Sequence, residues 1–280
     1  MSKRKRNKLK SNKAPSPTQA ERADRHALYE QAVQNVESEI DFVDDEFFRL
    51  RQRRARYLRE DFCGTANAAC EWVRRRSSNY ATGIDIDAEV QDWGRAHHVS
   101  ELTPAQEARL ALVTDDVMSA ATPLQDIVLA MNFSYWIFKE RGTLRRYFKR
   151  VRENLVDDGV FYLDCYGGYD AFRELKEKTK HKHFTYVWDQ ASYNPINGHM
   201  VCHIHFQFPD KSRLSKAFTY EWRLWTMPEL REILSEAGFD RTVVYQQPWI
   251  DDDEEELGDF EAVESAEADA GWIAYIAACK

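Results

Sequence analysis

The middle of the chain alternates between short apolar runs and longer stretches in which apolar residues recur every three or four positions. The apolar runs end near Glu60, at Asp85, near Val113 and at Met131. Runs of this length predict buried strands, and the longer spacing predicts amphipathic helices between them. The clearest helical spacing is that of Leu144, Tyr147, Phe148, Val151 and Leu155. Alternating strands and helices predict an α/β fold, a parallel sheet with helices on both faces.

The pattern changes after the fifth predicted strand, which covers residues 160–163 once Gly159 has ended the preceding helix. Beyond Tyr166, three segments alternate polar and apolar residues or are rich in β-branched and aromatic residues. Asn-Pro and Asn-Gly turn signals separate them. These segments predict an antiparallel β insertion over residues 183–225.

Polar segments and two further helices flank this pattern. Residues 1–19 are rich in Lys, Arg, Ser and Pro and predict a disordered basic tail. Residues 20–39 predict a helix, and a capping box at residues 226–229 begins another helix that Gly238 ends. Residues 251–269 are strongly acidic and predict a solvated loop. The apolar stripe of the first helix consists of Leu28, Ala32 and Val36.

The composition fits one globular domain with an insertion, since the chain has 280 residues, of which 43% are hydrophobic. No apolar run approaches the roughly 20 residues that span a bilayer, and the basic N-terminus lacks the apolar part of a secretory signal. The five cysteines are odd in number and lack the spacing of a disulfide framework or a zinc site. His203 and His205 share one face of a predicted strand and are interpreted as part of a polar strand face. We therefore expect a cytoplasmic protein with no metal site and no membrane contact.

Charge is distributed unevenly along the chain. The first 15 residues carry seven Lys or Arg and no acid, whereas the whole chain has a formal net charge of −8. The remainder therefore carries −15, which disfavours a broad surface for a polyanion. The basic tail is interpreted either as a solubilising segment or as a tether to nucleic acid or the ribosome.

The candidate chemistry lies where the first two strands end. Residues 58–69 predict a strand end, a tight turn and a helix start, and the next strand ends at Asp85. The two ends meet at one edge of a parallel sheet, where an acid can hold ribose hydroxyls. Dinucleotide-binding turns use three glycines to approach a pyrophosphate. Here only Gly64 is glycine, and Phe62 and Ala66 occupy the flanking positions. A ligand with a ribose and no phosphates, such as S-adenosylmethionine, tolerates this difference.

The order and spacing of four segments resemble those of class I S-adenosylmethionine-dependent methyltransferases, of the branch that acts on small molecules. The segments are Glu60 with Cys63-Gly64-Thr65, Asp85, residues 114–117 and residues 126–132. The resemblance implies a Rossmann-like, seven-stranded methyltransferase sheet that is mostly parallel. Its sixth strand would be residues 242–246, and its seventh, antiparallel strand would be residues 271–278. The methyltransferase domain would cover residues 20–280.

The resemblance also implies S-adenosyl-L-methionine as the cofactor. Asp85 is expected at the ribose, Asp116 at the adenine amine and Arg59 at the cofactor carboxylate. Each also has a structural interpretation: a helix cap, a surface turn acid and a surface charge at a strand end, respectively. The full set of candidate cofactor-binding residues is Arg59, Glu60, Phe62, Gly64, Thr65, Ala66, Asp85, Ile86, Asp116, Val117, Met131 and Asn132.

Asn132-Phe133-Ser134-Tyr135 follows the fourth strand, where the acceptor would meet the methyl group. The segment is similar to the Asn-Pro-Pro-Tyr motif of amino-methyltransferases that act on nucleic-acid bases, but both prolines are missing. A base-binding motif and the lining of a smaller pocket both stay open. The candidate catalytic residues are Asn132, Tyr135 and Tyr166. The candidate substrate contacts are Phe133 and Tyr29, the latter on a first helix that would cover the cofactor.

These features predict an S-adenosylmethionine-dependent methyltransferase that acts on a small molecule at nitrogen or oxygen by in-line displacement. One alternative is a methyltransferase of RNA, DNA or a ribosome-associated protein, tethered by the basic tail. Another is a non-catalytic adenosyl-binding protein, an interpretation prompted by the missing glycines. A nicotinamide oxidoreductase is disfavoured because the phosphate-binding glycines are absent.

Overall fold

The computed structural model describes residues 16–247 and 259–280. Its helices are α1 (Gln19–Arg22), α2 (Arg25–Val33), α3 (Val36–Arg51), α4 (Asn67–Arg75), α5 (Ala88–His97), α6 (Pro104–Glu107), α7 (Arg141–Glu153) and α8 (Met227–Glu236). Its strands are β1 (Tyr57–Asp61), β2 (Tyr80–Asp85), β3 (Leu110–Thr114), β4 (Gln125–Ala130), β5 (Leu155–Gly167), β6 (Leu175–Lys180), β7 (Thr185–Tyr193), β8 (His199–Gln207), β9 (Arg213–Arg223), β10 (Arg241–Gln246), β11 (Glu261–Val263) and β12 (Trp272–Cys279).

The larger sheet has eight strands in the described residues, in the order β11-β10-β12-β5-β4-β1-β2-β3. Strands β5, β4, β1, β2 and β3 are parallel, and β12 runs antiparallel to both β5 and β10. The predicted Rossmann-like sheet with an antiparallel last strand is therefore confirmed. The eighth strand, β11, lies in the segment that the sequence predicts to be an acidic loop, so that part of the loop prediction is wrong.

The smaller sheet consists of β6, β7, β8 and β9, all antiparallel. It follows β5, as the sequence predicts, but it begins at Leu175 instead of residue 183. The missed strand, β6, has the sequence Leu-Lys-Glu-Lys-Thr-Lys and lies at an edge of the sheet. Lysines are common on edge strands because they discourage pairing with another chain. Because most of its residues are charged, β6 contains no apolar run that would predict a strand.

Two predicted helix boundaries are wrong. The helix predicted over residues 20–39 is three helices, and Asn35 caps the third by accepting a hydrogen bond from the Ser38 amide. The helix predicted to end at Gly159 ends at Glu153, and Leu155 already pairs with Gln125 in the sheet. Leu155 extends the helical spacing of α7 in the sequence, but its burial comes from its strand position.

Other local predictions hold. Asp87 caps α5 by accepting hydrogen bonds from the amides of Glu89 and Val90. Thr226 and Glu229 form the capping box of α8. Of the predicted basic tail, residues 1–15 lie outside the described residues, as do residues 251–258 of the acidic segment. The predicted tail extends too far, since Thr18 caps α1 and Gln19 is its first residue.

The core lies on both faces of the larger sheet. One cluster contains Val128, Phe161 and residues of α7 and α8, and the other contains residues of α3 and α4. A third cluster joins β8 and β9 to Leu28 and Tyr29 of α2. Helix α2 therefore packs on the smaller sheet, which positions it beside the carboxyl edge of the larger one.

Candidate functional site

The turn after β1 holds three residues in the left-handed region of backbone space. The φ angles are 57° at Phe62, 50° at Gly64 and 58° at Ala66. Residues with a side chain avoid this region at a cost of roughly 1–2 kcal/mol each, so glycine is the usual occupant. The turn therefore has three positions in a conformation that favours glycine, and glycine occupies only one of them. A Cβ placed on Gly64 would meet nothing within 4 Å, so this point of the turn faces open space.

Asp85 ties this turn to the end of β2. One carboxylate oxygen accepts a hydrogen bond from the Gly64 amide at 2.8 Å, and the other accepts from the Asp87 amide at 2.9 Å. Asp85 is not the cap of α5, which is Asp87. Ile86 follows at the tip of the strand with 74% of its surface exposed. An acid with spare lone pairs and an exposed apolar side chain thus lie side by side at the sheet edge.

Helix α2 is fastened to the same turn by a polar cluster that we call the α2 latch: Glu30, Thr65 and His98. A single Glu30 carboxylate oxygen accepts from the Thr65 hydroxyl at 2.6 Å and lies 2.7 Å from Nε2 of His98. Helix α5 also approaches this turn closely. A Cβ at Gly94 of α5 would lie 2.1 Å from the Thr65 carbonyl oxygen, so only a residue without a side chain fits there. The α2 latch therefore holds α2 next to the turn that follows β1.

Three carboxyl groups with perturbed pKa values surround the ends of β1, β4 and β5. Burial, together with the charge of Glu39, raises the pKa of Glu60 to about 8, although the Ala69 amide donates to its carboxylate at 2.9 Å. Burial and the charge of Asp164 raise the pKa of Glu39 to about 8. Burial raises the pKa of Asp164 to about 7. A cation bound between them would reduce this repulsion.

Asp164 shapes the segment that follows β4. Its two carboxylate oxygens accept hydrogen bonds from the amides of Asn132 at 2.7 Å and Phe133 at 2.8 Å. Both of these residues have φ angles of 56°, so two consecutive left-handed residues turn the chain away from the strand. Met131, just before them, is half-buried against the cluster of α3 and α4.

The structure contradicts the roles predicted for Arg59 and Tyr135. The Arg59 side chain is fully buried, pairs with Asp61 at 2.6 Å and donates to the Val117 carbonyl at 3.0 Å. It is neither a surface charge nor open to a cofactor carboxylate. The Tyr135 side chain is fully buried too, and its hydroxyl donates to the Asp164 carbonyl at 2.7 Å. A hydroxyl held in this way supports the turn and cannot contact an acceptor.

At the end of β3, Asp116 is exposed, and its carboxylate accepts from the Met118 amide at 2.9 Å. Its neighbour Val117 is buried, with only 4% of its surface exposed. The Asp115 amide donates to the Asp85 carbonyl at 3.1 Å, which places this turn beside the end of β2. The structure therefore supports the turn-acid interpretation of Asp116 and leaves its role at an adenine a prediction.

A cavity of about 1120 Å³ opens between the carboxyl edge of the larger sheet and one face of the smaller sheet. Four of the predicted site residues line it: Tyr29, Asn132, Phe133 and Tyr166. The rings of Phe133 and Tyr166 pack edge to face, with centroids 4.9 Å apart. Asn132 and Phe133 therefore join the sheet edge to the cavity.

Comparisons with known proteins identify this architecture. No protein-family model matches the sequence, and no curated protein matches it either. Among solved structures, an S-adenosylmethionine-dependent methyltransferase from Clostridium acetobutylicum is similar with a TM-score of 0.66 and 15% identity, over 90% of this chain and 96% of that one. The amino pentose methyltransferase CalS10 from Micromonospora echinaspora, solved with S-adenosylmethionine bound, gives 0.61 and 12%, over 89% and 95%. The sugar N-methyltransferase KedS8 from Streptoalloteichus gives 0.58 and 14%, over 96% and 98%.

The chain has the fold of S-adenosylmethionine-dependent methyltransferases. At these identities the comparisons show the fold alone, and they assign no role to individual residues of this chain. The cavity of this methyltransferase fold has a distinct lining. Its acids are Asp170, Glu177, Glu261, Glu267 and Asp269, and no Lys, Arg or His lines it among the described residues.

The methyltransferase fold also places functional candidates that sequence reasoning missed. Glu30 and Glu39 lie on predicted helical segments, but only the tertiary structure brings them to the sheet edge. The alternation in β7 and β9 is a usable signal, since Tyr186 and Trp188, and likewise Tyr220 and Trp222, sit two residues apart and all face the cavity.

The histidines of β8 lie away from this cavity. His205 pairs with Asp189 at 3.1 Å, and His203 contacts the Thr219 hydroxyl at 2.9 Å. No group of His, Cys, Asp and Glu in residues 16–247 and 259–280 is arranged to hold a metal ion. No helix in the same residues combines the length and hydropathy needed to cross a bilayer.

Proposed function

We propose that the protein transfers a methyl group from S-adenosylmethionine to a small molecule, at nitrogen or oxygen. The observation that carries the proposal is the turn with three left-handed residues, which Asp85 holds through the Gly64 amide at 2.8 Å. The missing glycines favour the alternative of a non-catalytic adenosyl-binding protein. The structure reduces the support for this alternative, because Phe62 and Ala66 adopt the backbone conformation for which glycine is normally needed.

The residues at the sheet edge fit S-adenosylmethionine better than a dinucleotide. The carboxylate of Asp85 can accept from ribose hydroxyls, and the exposed Ile86 offers an apolar surface to a nucleoside. A pyrophosphate beside Glu39, Glu60 and Asp164 would raise the pKa of these carboxyl groups further, whereas the ammonium and sulfonium charges of S-adenosylmethionine favour their ionised forms. Gly64 and Thr65 of the turn, with Met131 and Asn132 after β4, complete the proposed cofactor site.

Bound S-adenosylmethionine supplies an electrophilic methyl group on a positively charged sulfur. The work of this chain is to hold the acceptor in line with that methyl group at attack distance, which can account for much of the rate. Asn132 and Phe133 stand between the cofactor edge and the cavity, so they position the acceptor's reacting atom. The faces of Phe133 and Tyr166 can also stabilise a nearby cation.

The lining of the cavity supports a small acceptor over a nucleic acid. Acidic side chains and no described basic ones line it, and such a surface repels a phosphate backbone. The tethered alternative places the basic contacts in the N-terminal tail, which lies outside the described residues. It makes its own prediction, that deletion of residues 1–13 abolishes activity on a macromolecule and that this activity is sensitive to salt.

The proposal is tested by incubating the full chain with methyl-labelled S-adenosylmethionine and a fractionated cell extract. We expect label in a low-mass product, and we expect the Asp85→Ala variant to lose this activity. Asp92→Ala is the matched control, because Asp92 is an exposed acid on α5, with 78% of its side chain accessible. Label in a macromolecule supports the tethered alternative, and cofactor binding without label in any fraction supports the non-catalytic one.

A further inference from the structure

We infer that the methyl acceptor is a cationic amine, held by the acidic and aromatic lining of the cavity and methylated at its nitrogen. This inference rests on the proposed function and names the substrate class of the same site. We call the part of the cavity that carries it the amine chamber: Glu177, Trp188, Tyr220, Trp222, Tyr166 and Asp269.

The charge of the chamber has one sign. Glu177 of β6 lies opposite Trp188 in the register of the smaller sheet, so both side chains face the cavity. The neighbouring Lys176 points to the other face, where it pairs with Asp189 at 2.9 Å. Within residues 16–247 and 259–280, no side chain or amide forms an ion pair or hydrogen bond with the Glu177 carboxylate. A carboxylate left in this state at a cavity wall is suited to a cationic ligand.

The aromatic rings of the chamber form a continuous wall. Tyr220 stacks on Trp222 with centroids 4.4 Å apart, and Trp188 lies 6.3 Å from Trp222. Tyr166 meets Trp188 edge to face at 6.4 Å. Ammonium groups bind to the faces of such rings, because the π electrons present negative charge there. An alcohol or a carboxylate acceptor gains nothing comparable from this wall.

The inner end of the chamber is acidic as well. Asp164 lies behind Asn132 and Phe133 and is only 6% exposed. Glu39 faces Asp164 from α3, and no described residue donates a hydrogen bond to its carboxylate. Burial, together with the charge of Asp164, raises the pKa of Glu39. A cation that reaches this end of the chamber favours the ionised forms of Glu39 and Asp164.

The chemical step balances without another reactant. The bound ammonium gives one proton to a chamber carboxylate or to water, and the freed nitrogen lone pair attacks the methyl carbon. The new nitrogen–carbon bond forms as the carbon–sulfur bond breaks, and its electron pair stays on sulfur as a neutral thioether. The products are the methylated ammonium, S-adenosylhomocysteine and the released proton.

The charge preference can be measured with three probes of similar size: benzyltrimethylammonium, benzyl alcohol and phenylacetate. Each is titrated into the full chain, with and without S-adenosylhomocysteine, while tryptophan fluorescence is recorded. We expect the cation to bind at least tenfold more tightly than the other two probes. Glu177→Gln should weaken binding of the cation about threefold and leave benzyl alcohol unchanged, and Asp269→Asn provides a second, independent variant. Glu107→Gln, an exposed acid on α6, should change neither.

Equal or tighter binding of the neutral or anionic probe, or no binding of any probe, would overturn the inference. The methylated atom gives a second test: the labelled product from the extract should carry an N-methyl group in its carbon NMR spectrum. An O-methyl or C-methyl product contradicts the amine while leaving the proposed function intact. Failure to bind S-adenosylhomocysteine, or the absence of any methylated product, contradicts the proposed function itself.

Discussion

The Gly64 amide donates a hydrogen bond to the Asp85 carboxylate at 2.8 Å and so joins the turn after β1 to the end of β2. The Asp85 side chain therefore both holds the turn in shape and offers its remaining lone pairs to a ribose. We predict that Asp85→Ala weakens S-adenosylmethionine binding at least tenfold, measured by calorimetric titration. Unchanged affinity would contradict the ribose assignment.

A matched pair of variants separates the two roles of Asp85. Asp85→Asn keeps an oxygen that can accept from the Gly64 amide, so it should retain the turn and lose less affinity than Asp85→Ala. Asp92→Ala removes an exposed acid from α5 and should leave affinity unchanged. If the Asn variant loses as much as the Ala variant, the negative charge matters more than the hydrogen bond to the turn.

Two buried alanines test the left-handed conformation of the turn. Ala66 and Ala69 are both fully buried, but Ala66 has a φ of 58° whereas Ala69 is inside α4. Glycine at position 69 should lower the free energy of unfolding by about 2 kcal/mol, through lost helix propensity and a lost buried methyl group. Glycine at position 66 should lower it by less than about 1 kcal/mol, because relief of the left-handed strain offsets those losses.

Chemical denaturation of both variants measures this difference. Ala66→Gly should also bind S-adenosylmethionine as the parent protein does, because the backbone shape is unchanged. Equal losses of stability in the two variants would mean that Ala66 is not strained.

The local parts of the fold could be predicted from the sequence, and the long-range parts could not. Strand ends such as Asp85 and caps such as Asp87 depend on neighbouring residues, so their patterns are visible in the chain. The left-handed φ of Phe62 is not visible, because phenylalanine rarely adopts it. In the sequence, Arg59 resembles a charged residue at a strand end. Its burial depends on Asp61, which pairs with it at 2.6 Å, and the sequence does not predict that pairing.

The same distinction applies to the candidate site. Asn132, Phe133, Tyr166 and Tyr29 line the cavity, as their sequence positions suggest. Tyr135 does not, because the turn after β4 directs its ring into the core, where its hydroxyl meets a backbone carbonyl. The acids of the cavity come from separate segments of the chain, and no sequence pattern connects them.

Helix α2 depends on the α2 latch for its position. We predict that Glu30→Ala, which removes the acceptor for Thr65 and the partner of His98, speeds amide hydrogen exchange in residues 25–33 at least severalfold. Exchange in α7 should be unchanged, because α7 packs elsewhere. Gln31→Ala, an exposed position on the same helix, is the control. Unaltered exchange in Glu30→Ala would show that apolar packing alone holds α2.

The acids at the sheet edge predict how stability depends on pH. Burial raises the pKa of Glu39 and of Glu60 from 4.5 to about 8, so the folded protein keeps protons that the unfolded chain has released. Stability of the ligand-free protein should therefore fall as pH rises between about 4.5 and 8. Glu39→Gln removes one of these groups and should reduce the fall in melting temperature between pH 6 and pH 8.5.

The control for this measurement is Glu37→Gln, since Glu37 is exposed in the same first turn of α3. It should show the same pH dependence as the parent protein. A melting temperature that rises over this range, or a Glu39→Gln variant with an unchanged slope, would contradict the account of the acidic edge.

Calorimetric titration of the full chain with S-adenosylmethionine, S-adenosylhomocysteine and NAD addresses the central proposal most directly. We predict saturable binding of the first two at one site and no binding of NAD, because the turn and its acids suit an adenosyl group without phosphates. Binding of NAD alone, or of none of the three, would contradict the proposal.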